Sequence, residues 1–361
     1  MRLCLFILWG LLLPCPSVGW VEERDPPRGQ GEPRSSTHPT RATKTEPSLD
    51  RYSFTEPHMG TRFQIIVYAP SAEAARMAST DAFARIEALN AMMSDYDRNS
   101  EVMRLCAQAG GPPVPVSKEL FFVLSTAQEV SRQSDGAFDV TVGPVVKLWR
   151  KARKQRRLPD AEKLAEARAL VDWHKVRLDA DKRTVQLLKA GMLLDLGGIA
   201  KGYAADEALA VLKQHGLERA LVAAGGDIAV AAPPPNADGW KIAIAALPGE
   251  KDPGRLILHH AAVSTSGDAE QYVEIDGRRY SHIVDPRTGL GLIGRMSATV
   301  VARRGIDSDS LTKVVAVLGA EKGVKIIEAR DGVAARMVRK KGEAFETIVS
   351  KHFPKLHPVE R

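Results

Sequence analysis

From Val176 onward the chain breaks into short apolar runs, residues 185–188, 220–222, 241–245 and 263–265, separated by glycine-bearing turns. Runs this short have strand length rather than helix length. Asp276-Gly277, set between Tyr272-Val273-Glu274-Ile275 and residues 278–283, is the signature of a two-residue hairpin. Upstream, Phe63, Ile65 and Val67 alternate with polar or small neighbours, which predicts a half-buried strand. Ser71 then heads an alanine-rich stretch predicted to be helical to about Met93, because a serine hydroxyl satisfies an otherwise unpaired N–H of the first turn. Further helices are expected over 117–131, from an Asp160 N-cap, and over 202–214, 309–318 and 321–329. No fixed-period repeat is present. Hairpin-forming strands mixed with helices argue for an α+β fold of largely antiparallel sheets with flanking helices, not a doubly wound parallel one.

The two ends of the chain differ from its middle. Residues 22–50 are rich in Pro, Arg, Ser, Thr and Glu and nearly devoid of apolar side chains, the composition of a tether that cannot bury enough surface to order itself. Before it, Met1-Arg2, an apolar stretch over 3–13 and the small residues Ser17-Val18-Gly19 read as a secretory signal. The apolar stretch is about half the ~20 residues a spanning helix requires. The expected division is a signal over 1–19, a tether over 20–50 and one folded unit over 51–355. Export follows, with an uncleaved signal or a lipid on Cys15 as two routes to membrane association; Leu12-Leu13-Pro14 lacks the small residue that precedes a lipidated cysteine. Cleavage after Gly19 leaves Cys106 as the single cysteine, so no internal disulfide is expected. The net charge is +7, but the basic residues are mostly mixed with acids, and a nucleic-acid partner is not expected. The exception is residues 147–157, seven basic side chains with no acid, which reads either as a solvated face or as an anion-facing rim.

Five polar, glycine-rich islands lie among apolar stretches that do not need them. Asp195-Leu196-Gly197-Gly198-Ile199-Ala200-Lys201-Gly202-Tyr203 reads as a glycine turn entering a helix, a place where backbone N–H groups can meet a phosphate. It matches neither the Walker spacing nor the dinucleotide fingerprint. Gly225-Gly226-Asp227 reads in isolation as a hairpin turn. Ser264-Thr265-Ser266-Gly267-Asp268 offers hydroxyl donors, as solvated turn chemistry also would. In Ser281-His282-Ile283-Val284-Asp285-Pro286-Arg287-Thr288-Gly289 an imidazole, a carboxylate and a hydroxyl crowd at a strand end. Asp307-Ser308-Asp309-Ser310-Leu311-Thr312-Lys313 opens an apolar helix; Asp307 or Ser308 suits its N-cap, while Asp309 and Lys313 share one face.

In this order the islands resemble the FAD:protein FMN transferases, the ApbE-like family. The resemblance runs from Met59-Gly60-Thr61 to Leu318-Gly319 and includes Ser94-Asp95-Tyr96-Asp97, Ser100-Glu101-Val102 and Asp135-Gly136-Ala137-Phe138-Asp139-Val140-Thr141-Val142-Gly143-Pro144. It implies an ApbE-like fold with FAD in a cleft between two subdomains and the isoalloxazine near Met59 and Tyr96. Asp195, Gly198 and Lys201, with Asp206 just beyond, are implied on the adenine and diphosphate side. Asp139 and Ser264 are implied as further FAD contacts, and His282, Asp285 and Thr288 beside the flavin and the scissile phosphate. A magnesium ion is implied on the Asp309 carboxylate, on the backbone carbonyl near Ala200, and on the residue four after the aspartate. That residue is here Lys313 where a Thr is common, and an ammonium cannot ligate a cation. Either Lys313 supplies the charge itself or it swings aside from a site with fewer ligands; retained Mg²⁺ is the working expectation.

The reaction implied is attack of a Thr or Ser hydroxyl of an acceptor protein on the FMN-side phosphorus of FAD, with AMP leaving. His282 and Asp285 are the candidate bases, and Asp309 is the third candidate catalytic residue. A FAD diphosphatase and a non-catalytic flavin carrier are the alternatives. The implied partners are flavin-acceptor domains of membrane redox proteins, met in a bacterial periplasm or at the outer face of the inner membrane.

Overall fold

The strand-length runs pair into sheets in a computed structural model that describes residues 48–267 and 272–358. The signal, Cys15 and nearly all of the tether lie outside the described residues. In chain order come β1 (Asp50–His58), β2 (Thr61–Ala69), α1 (Ala72–Met93), α2 (Glu101–Cys106), β3 (Val114–Pro115), α3 (Lys118–Gln133), α4 (Gly143–Gln155) and α5 (Ala161–Arg168). There follow β4 (Val176–Asp179), β5 (Thr184–Leu187), α6 (Ala200–Gln214), β6 (Ala220–Ala224), β7 (Asp227–Val230), β8 (Trp240–Ala243) and β9 (Arg255–Leu258). The last part holds β10 (Ala261–Gly267), β11 (Tyr272–Ile275), β12 (Arg278–Val284), β13 (Gly291–Ile293), β14 (Met296–Ala302), α7 (Gly305–Glu328), β15 (Ala334–Lys341) and β16 (Ala344–Val349).

Eight strands form the main sheet in the order β1-β2-β6-β7-β10-β14-β15-β16, every neighbouring pair antiparallel. Smaller sheets are β11-β12-β13, β3-β5-β4 and β8-β9. The architecture is α+β and largely antiparallel, as the turn chemistry predicts. Asp276 and Gly277 both take positive φ, 50° and 72°, as the hairpin between β11 and β12 requires.

Period-two alternation decides which face each strand residue occupies. Phe63, Ile65, Val67, Val222, Ala224 and Ala229 point into the large core formed with the helices. Ile66, Leu221, Ala223, Ile228 and Val230 point the other way, against Trp240, Ile242, Leu256 and Leu258 of the β8–β9 hairpin. The strand containing Phe63 is half-buried as expected on its core face; on the other face the β8–β9 hairpin covers Ile66 and packs against Tyr68, while Gln64 is partly open and Arg62 exposed.

The helices begin largely where local chemistry places them. Ser71, Ser117 and Asp160 cap α1, α3 and α5, each accepting from a backbone N–H three residues on. α7 departs from expectation at its start, Gly305 rather than Asp309. Its interior agrees with the two helices expected over 309–318 and 321–329, because Gly319 at φ 77°, ψ 178° is non-helical and kinks the span between them. Neither Asp307 nor Ser308 is its N-cap. The cap is remote: Asp206 on α6 accepts from Gly305 N at 2.6 Å and from Ile306 N at 3.0 Å. Here α6 and α7 touch backbone to backbone, since a Cβ on Gly202 would lie 2.0 Å from the Gly305 carbonyl oxygen. Cys106 is a free, buried thiol that receives the Leu194 N–H at 3.2 Å, and burial pushes it up to about 11. None of the described helices is long and apolar enough to cross a membrane.

Candidate active site

Two turns meet at one end of the main sheet. Met59-Gly60 links β1 to β2, and Gly225-Gly226 links β6 to β7 through the pair Ala224↔Asp227. Thr265 on β10 donates its N–H to the Gly226 carbonyl at 2.9 Å. A Cβ on Gly226 would lie 2.6 Å from the Thr265 oxygen, so only glycine lets the turn and β10 approach this closely. The reading of Gly225-Gly226-Asp227 as a hairpin turn is correct for the backbone, and it misses what Asp227 does.

Beside these turns, the segment 195–199 delivers α6. Asp195 steadies it by accepting from Gly197 N at 2.8 Å. Ile199, at the N-cap, makes no side-chain cap bond. The next residues carry the charge. Lys201 pairs with Asp227 at the start of β7, and Lys313 pairs with Asp309 one turn back on α7. The second Asp309 oxygen accepts from Gly202 N at 3.1 Å, which locks α7 onto the first turn of α6. The carboxylates form the floor, with side chains 3% and 0% exposed, while the Lys201 and Lys313 side chains are 26% and 17% exposed. Burial disfavours the Lys201 charge, but Asp227 and Asp309 outweigh it and raise its pKa. Burial likewise opposes ionisation of Asp309, and Lys201 and Lys313 overcome it to hold the carboxyl below its ordinary value. The cluster thus consists of two fixed ammonium groups above two fixed carboxylates.

Hydroxyl pairs join β10 to α7 beneath this cluster: Ser264 Oγ lies 2.8 Å from Ser308 Oγ, and Ser266 Oγ 2.9 Å from Thr312 Oγ1. The Lys313 stem lies against the glycine turn, its Cε 3.5 Å from where a Gly198 Cβ would be.

A second group forms a rim. Arg150 on α4 bridges Asp95 and Asp195, the latter at 2.9 Å, and its guanidinium carbon stands 4.3 Å from the Tyr96 ring centroid. Burial pushes the Asp195 carboxyl up, with Asp95 adding to the shift and Arg150 opposing it. Tyr96 is 78% exposed, an aromatic face held open to solvent. Within the basic run, Lys147, Lys151, Lys154, Arg156 and Arg157 are exposed, so most of it is a solvated face; Arg150 joins the rim by its ion pairs and the partly buried Arg153 by its charge acting on Tyr96.

The third group is the strand end after β12. His282 is half-buried on the strand. Asp285 is held by Arg287, with Nε at 2.9 Å and a terminal nitrogen at 2.8 Å, and also accepts the Arg287 N–H at 2.9 Å. Its backbone oxygen receives the N–H groups of Thr288 and Gly289 at 3.2 and 2.8 Å. Trp149 of α4 braces this sheet by donating to the Ser281 carbonyl at 3.2 Å, and Arg287 reaches the Val317 carbonyl of α7 at 3.3 Å.

The structure therefore brings Gly198, Ala200, Lys201, Asp309 and Lys313 together, with Asp195 and Tyr96 on the adjoining rim. Three other expected FAD contacts have their polar atoms engaged inside the protein. Ser264 ties β10 to α7, and Asp206 caps α7. Asp139 accepts from Thr141 N at 2.8 Å, Thr141 Oγ1 at 2.7 Å and Trp173 N at 3.1 Å. Sequence reasoning passed over Asp227, Arg150 and Arg287 as site residues. The signals available were the aspartate ending a glycine island and the arginine within an acid-free run.

A magnesium ion takes about six oxygen ligands in near-octahedral geometry. At the expected position the one carboxylate is Asp309, whose oxygens are taken by the Lys313 ammonium and the Gly202 N–H. No cluster of three or more His, Cys, Asp or Glu suited to a metal occurs among the described residues. In this arrangement the side chains do not fit a magnesium ion.

The model of the ApbE family matches residues 59–337. The chain is 30% identical over 305 residues to the FAD:protein FMN transferase of Salmonella typhimurium, spanning 82% of this chain and 86% of that one. It is 34% identical over 305 residues to that of Treponema pallidum, spanning 80% and 84%. Among solved structures, the apo flavinyl transferase ApbE of Pseudomonas stutzeri is similar with a TM-score of 0.75 at 31% identity, over 84% of this chain and 95% of its own. The flavin transferase ApbE of Vibrio cholerae gives 0.75 at 29% identity, over 84% and 98%.

Proposed function

The chain belongs to the ApbE family, and from that premise we infer that it is a FAD:protein FMN transferase. The observation that carries the reading to particular residues is the pair of ammonium groups, Lys201 and Lys313, at the glycine turn that opens α6. A diphosphate entering there meets cations and the N-terminal end of a helix, both of which favour negative charge. Tyr96, exposed beside Arg150, offers the flat face a flavin ring stacks on.

The reaction is in-line phosphoryl transfer, in which positioning and charge stabilisation supply most of the acceleration. The acceptor is a Thr or Ser hydroxyl. Its oxygen attacks the FMN-side phosphorus, and the bond from that phosphorus to the bridging oxygen breaks. The electron pair stays with AMP. His282 takes the hydroxyl proton. Asp285 is the poorer base because both its oxygens already accept charge-assisted bonds from Arg287. Its role is to hold the loop that carries Thr288. The magnesium ion implied by the resemblance has no part in this scheme, since Lys313 sits on the carboxylate it would use.

Export is part of the proposal, supported by the signal-like residues 1–19, and with it come acceptors among flavin domains of membrane redox proteins outside the cytoplasm. A cytoplasmic pool retaining residues 1–19 after fractionation would remove this part. The activity itself is tested by the intact mass of a purified acceptor domain incubated with the protein and FAD. A gain of one FMN moiety is expected. An unchanged acceptor with FMN and AMP released would make the protein a diphosphatase; intact bound FAD with several acceptors would make it a carrier.

A further inference from the structure

Lys313 occupies the place where the family resemblance implies a metal ligand, and its surroundings make it a fixture. Its partner Asp309 is fully buried and doubly engaged, by the ammonium and by Gly202 N–H. Its aliphatic stem runs along Gly198, at ordinary van der Waals distance from where a Cβ would stand. The Asp309 carboxylate is sealed, whereas the Lys313 side chain keeps 17% of its surface open. A lysine ammonium has three donors, so contact with one Asp309 oxygen leaves others free for phosphate. Lys201, held in the same way by Asp227, stands as a second cation that shares the field of Asp309. A divalent ion on Asp309 would have to displace one ammonium and face the other.

We propose that Lys313, oriented by Asp309, is the built-in cation of the transfer step, so that this chain moves FMN without a divalent metal. The proposal rests on the transferase reading above and names the group that answers the diphosphate charge. As the bond between the FMN phosphorus and the bridging oxygen lengthens, the electron pair collects on that oxygen, and an N–H of Lys313 donates to it. No proton leaves the lysine. The hydroxyl proton goes to His282, and AMP departs with the bridging oxygen as a phosphate oxygen. Asp309 is a positioning residue in this step and Lys313 a catalytic one.

The test uses the full chain freed of metal, FAD and an acceptor domain, with transfer followed by intact mass in EDTA and in added Mg²⁺, and Mg²⁺ titrated into the protein by calorimetry. The wild type is expected to transfer at the same rate in both and to show no Mg²⁺ binding heat. Lys313→Thr restores an oxygen beside Asp309; it is expected to lose at least about 100-fold in EDTA, to recover in Mg²⁺ and to bind the ion. Lys313→Arg, which keeps the charge, should retain metal-free transfer if folding is intact by thermal melt. Transfer by the wild type that stops in EDTA and returns with Mg²⁺ would overturn the proposal and leave the transferase reading standing. No transfer in either condition would instead remove the transferase reading, and Mg²⁺ binding by the wild type in that case would overturn the role of Lys313 as well.

Discussion

The charged floor at the α6–α7 crossing and the rim around Arg150 are built from the same parts, cations set against two carboxylates, with opposite consequences. On the floor the carboxylates are sealed, and the charges are spaced by backbone contact between two helices. On the rim Arg150, about one-third exposed, lies between a partly exposed Asp95 and a mostly buried Asp195, next to an aromatic ring open to solvent. A buried pair that loses one partner strands a charge, at a cost of about 3–5 kcal/mol, whereas an exposed pair contributes about 0–1 kcal/mol. The phosphate end of the site is thus rigid and coupled to the fold. The flavin end can change without unfolding anything.

The harshest way to break this contrast is Asp309→Ala, which leaves Lys201 and Lys313 facing one carboxylate instead of two. Expected are about 3–5 kcal/mol lost from stability in denaturant unfolding and a fall in turnover of about 10²–10³-fold from the misplaced ammonium. Asp309→Asn keeps the shape and an acceptor for Gly202 N–H; it should recover much of the stability and little of the turnover. Recovery of both would mean that the carboxylate charge does not position Lys313.

Gly202→Ala attacks the same floor without touching a charge. The added methyl would meet the Gly305 carbonyl at 2.0 Å, so the helices must separate. A loss of about 3 kcal/mol is expected, at the upper end of ordinary overpacking costs. A loss below about 0.5 kcal/mol would show that the crossing is not the rigid element. Tyr96→Ala, for comparison, should leave the melting temperature unchanged.

How far the floor and the rim could be read in advance follows from the range of the forces that build them. Caps are local, so Ser71, Ser117 and Asp160 announced α1, α3 and α5. α4 was hidden because five basic residues are interspersed with its buried stripe of Val145, Trp149 and Ala152, although their spacing is helical. The start of α7 was misread because its cap comes from Asp206, about 100 residues earlier in the chain, where no local pattern points. Residue types in the islands were legible for the same local reasons. Their partners were not: Lys201 reaches Asp227 and Gly202 reaches Asp309 only after the sheet has brought the elements together.

The Asp206 cap gives a smaller effect with a pH signature. Burial raises its carboxyl from 3.8 to about 6, more than the N–H groups of Ile306 and Gly305 lower it. Between these values the folded protein binds more protons at this site than the unfolded one, so stability falls as pH rises through that window. The full change is on the order of 2–3 kcal/mol. Asp139 and Asp195 are also pushed up, so the measurement must isolate one group. Stability of the wild type relative to Asp206→Asn does this, because the amide does not titrate. That difference should decline from about pH 4 to about pH 6; a flat difference would mean that the N–H groups of the α7 terminus keep the carboxylate ionised throughout.

Arg150→Ala carries a smaller stability effect than the floor substitutions and sharpens the contrast most. Its side chain is about one-third exposed and Asp95 is partly open, while Asp195 is mostly buried, so a change of about 1–2 kcal/mol, between an exposed and a sealed pair, is expected in denaturant unfolding. Binding should respond differently. Without the guanidinium, Tyr96 loses the group that fixes its ring, and Asp95 and Asp195 are left as two unbalanced negative charges beside an anionic ligand. The KM for FAD is expected to rise about tenfold, matching the ~1.4 kcal/mol of a modest charge and stacking contact, with kcat little altered because the lysine floor is untouched. Arg150→Lys keeps the charge but not the planar fork between two aspartates, and should fall between the two. A drop in kcat with unchanged KM would place Arg150 with the phosphate machinery and erase the division between floor and rim.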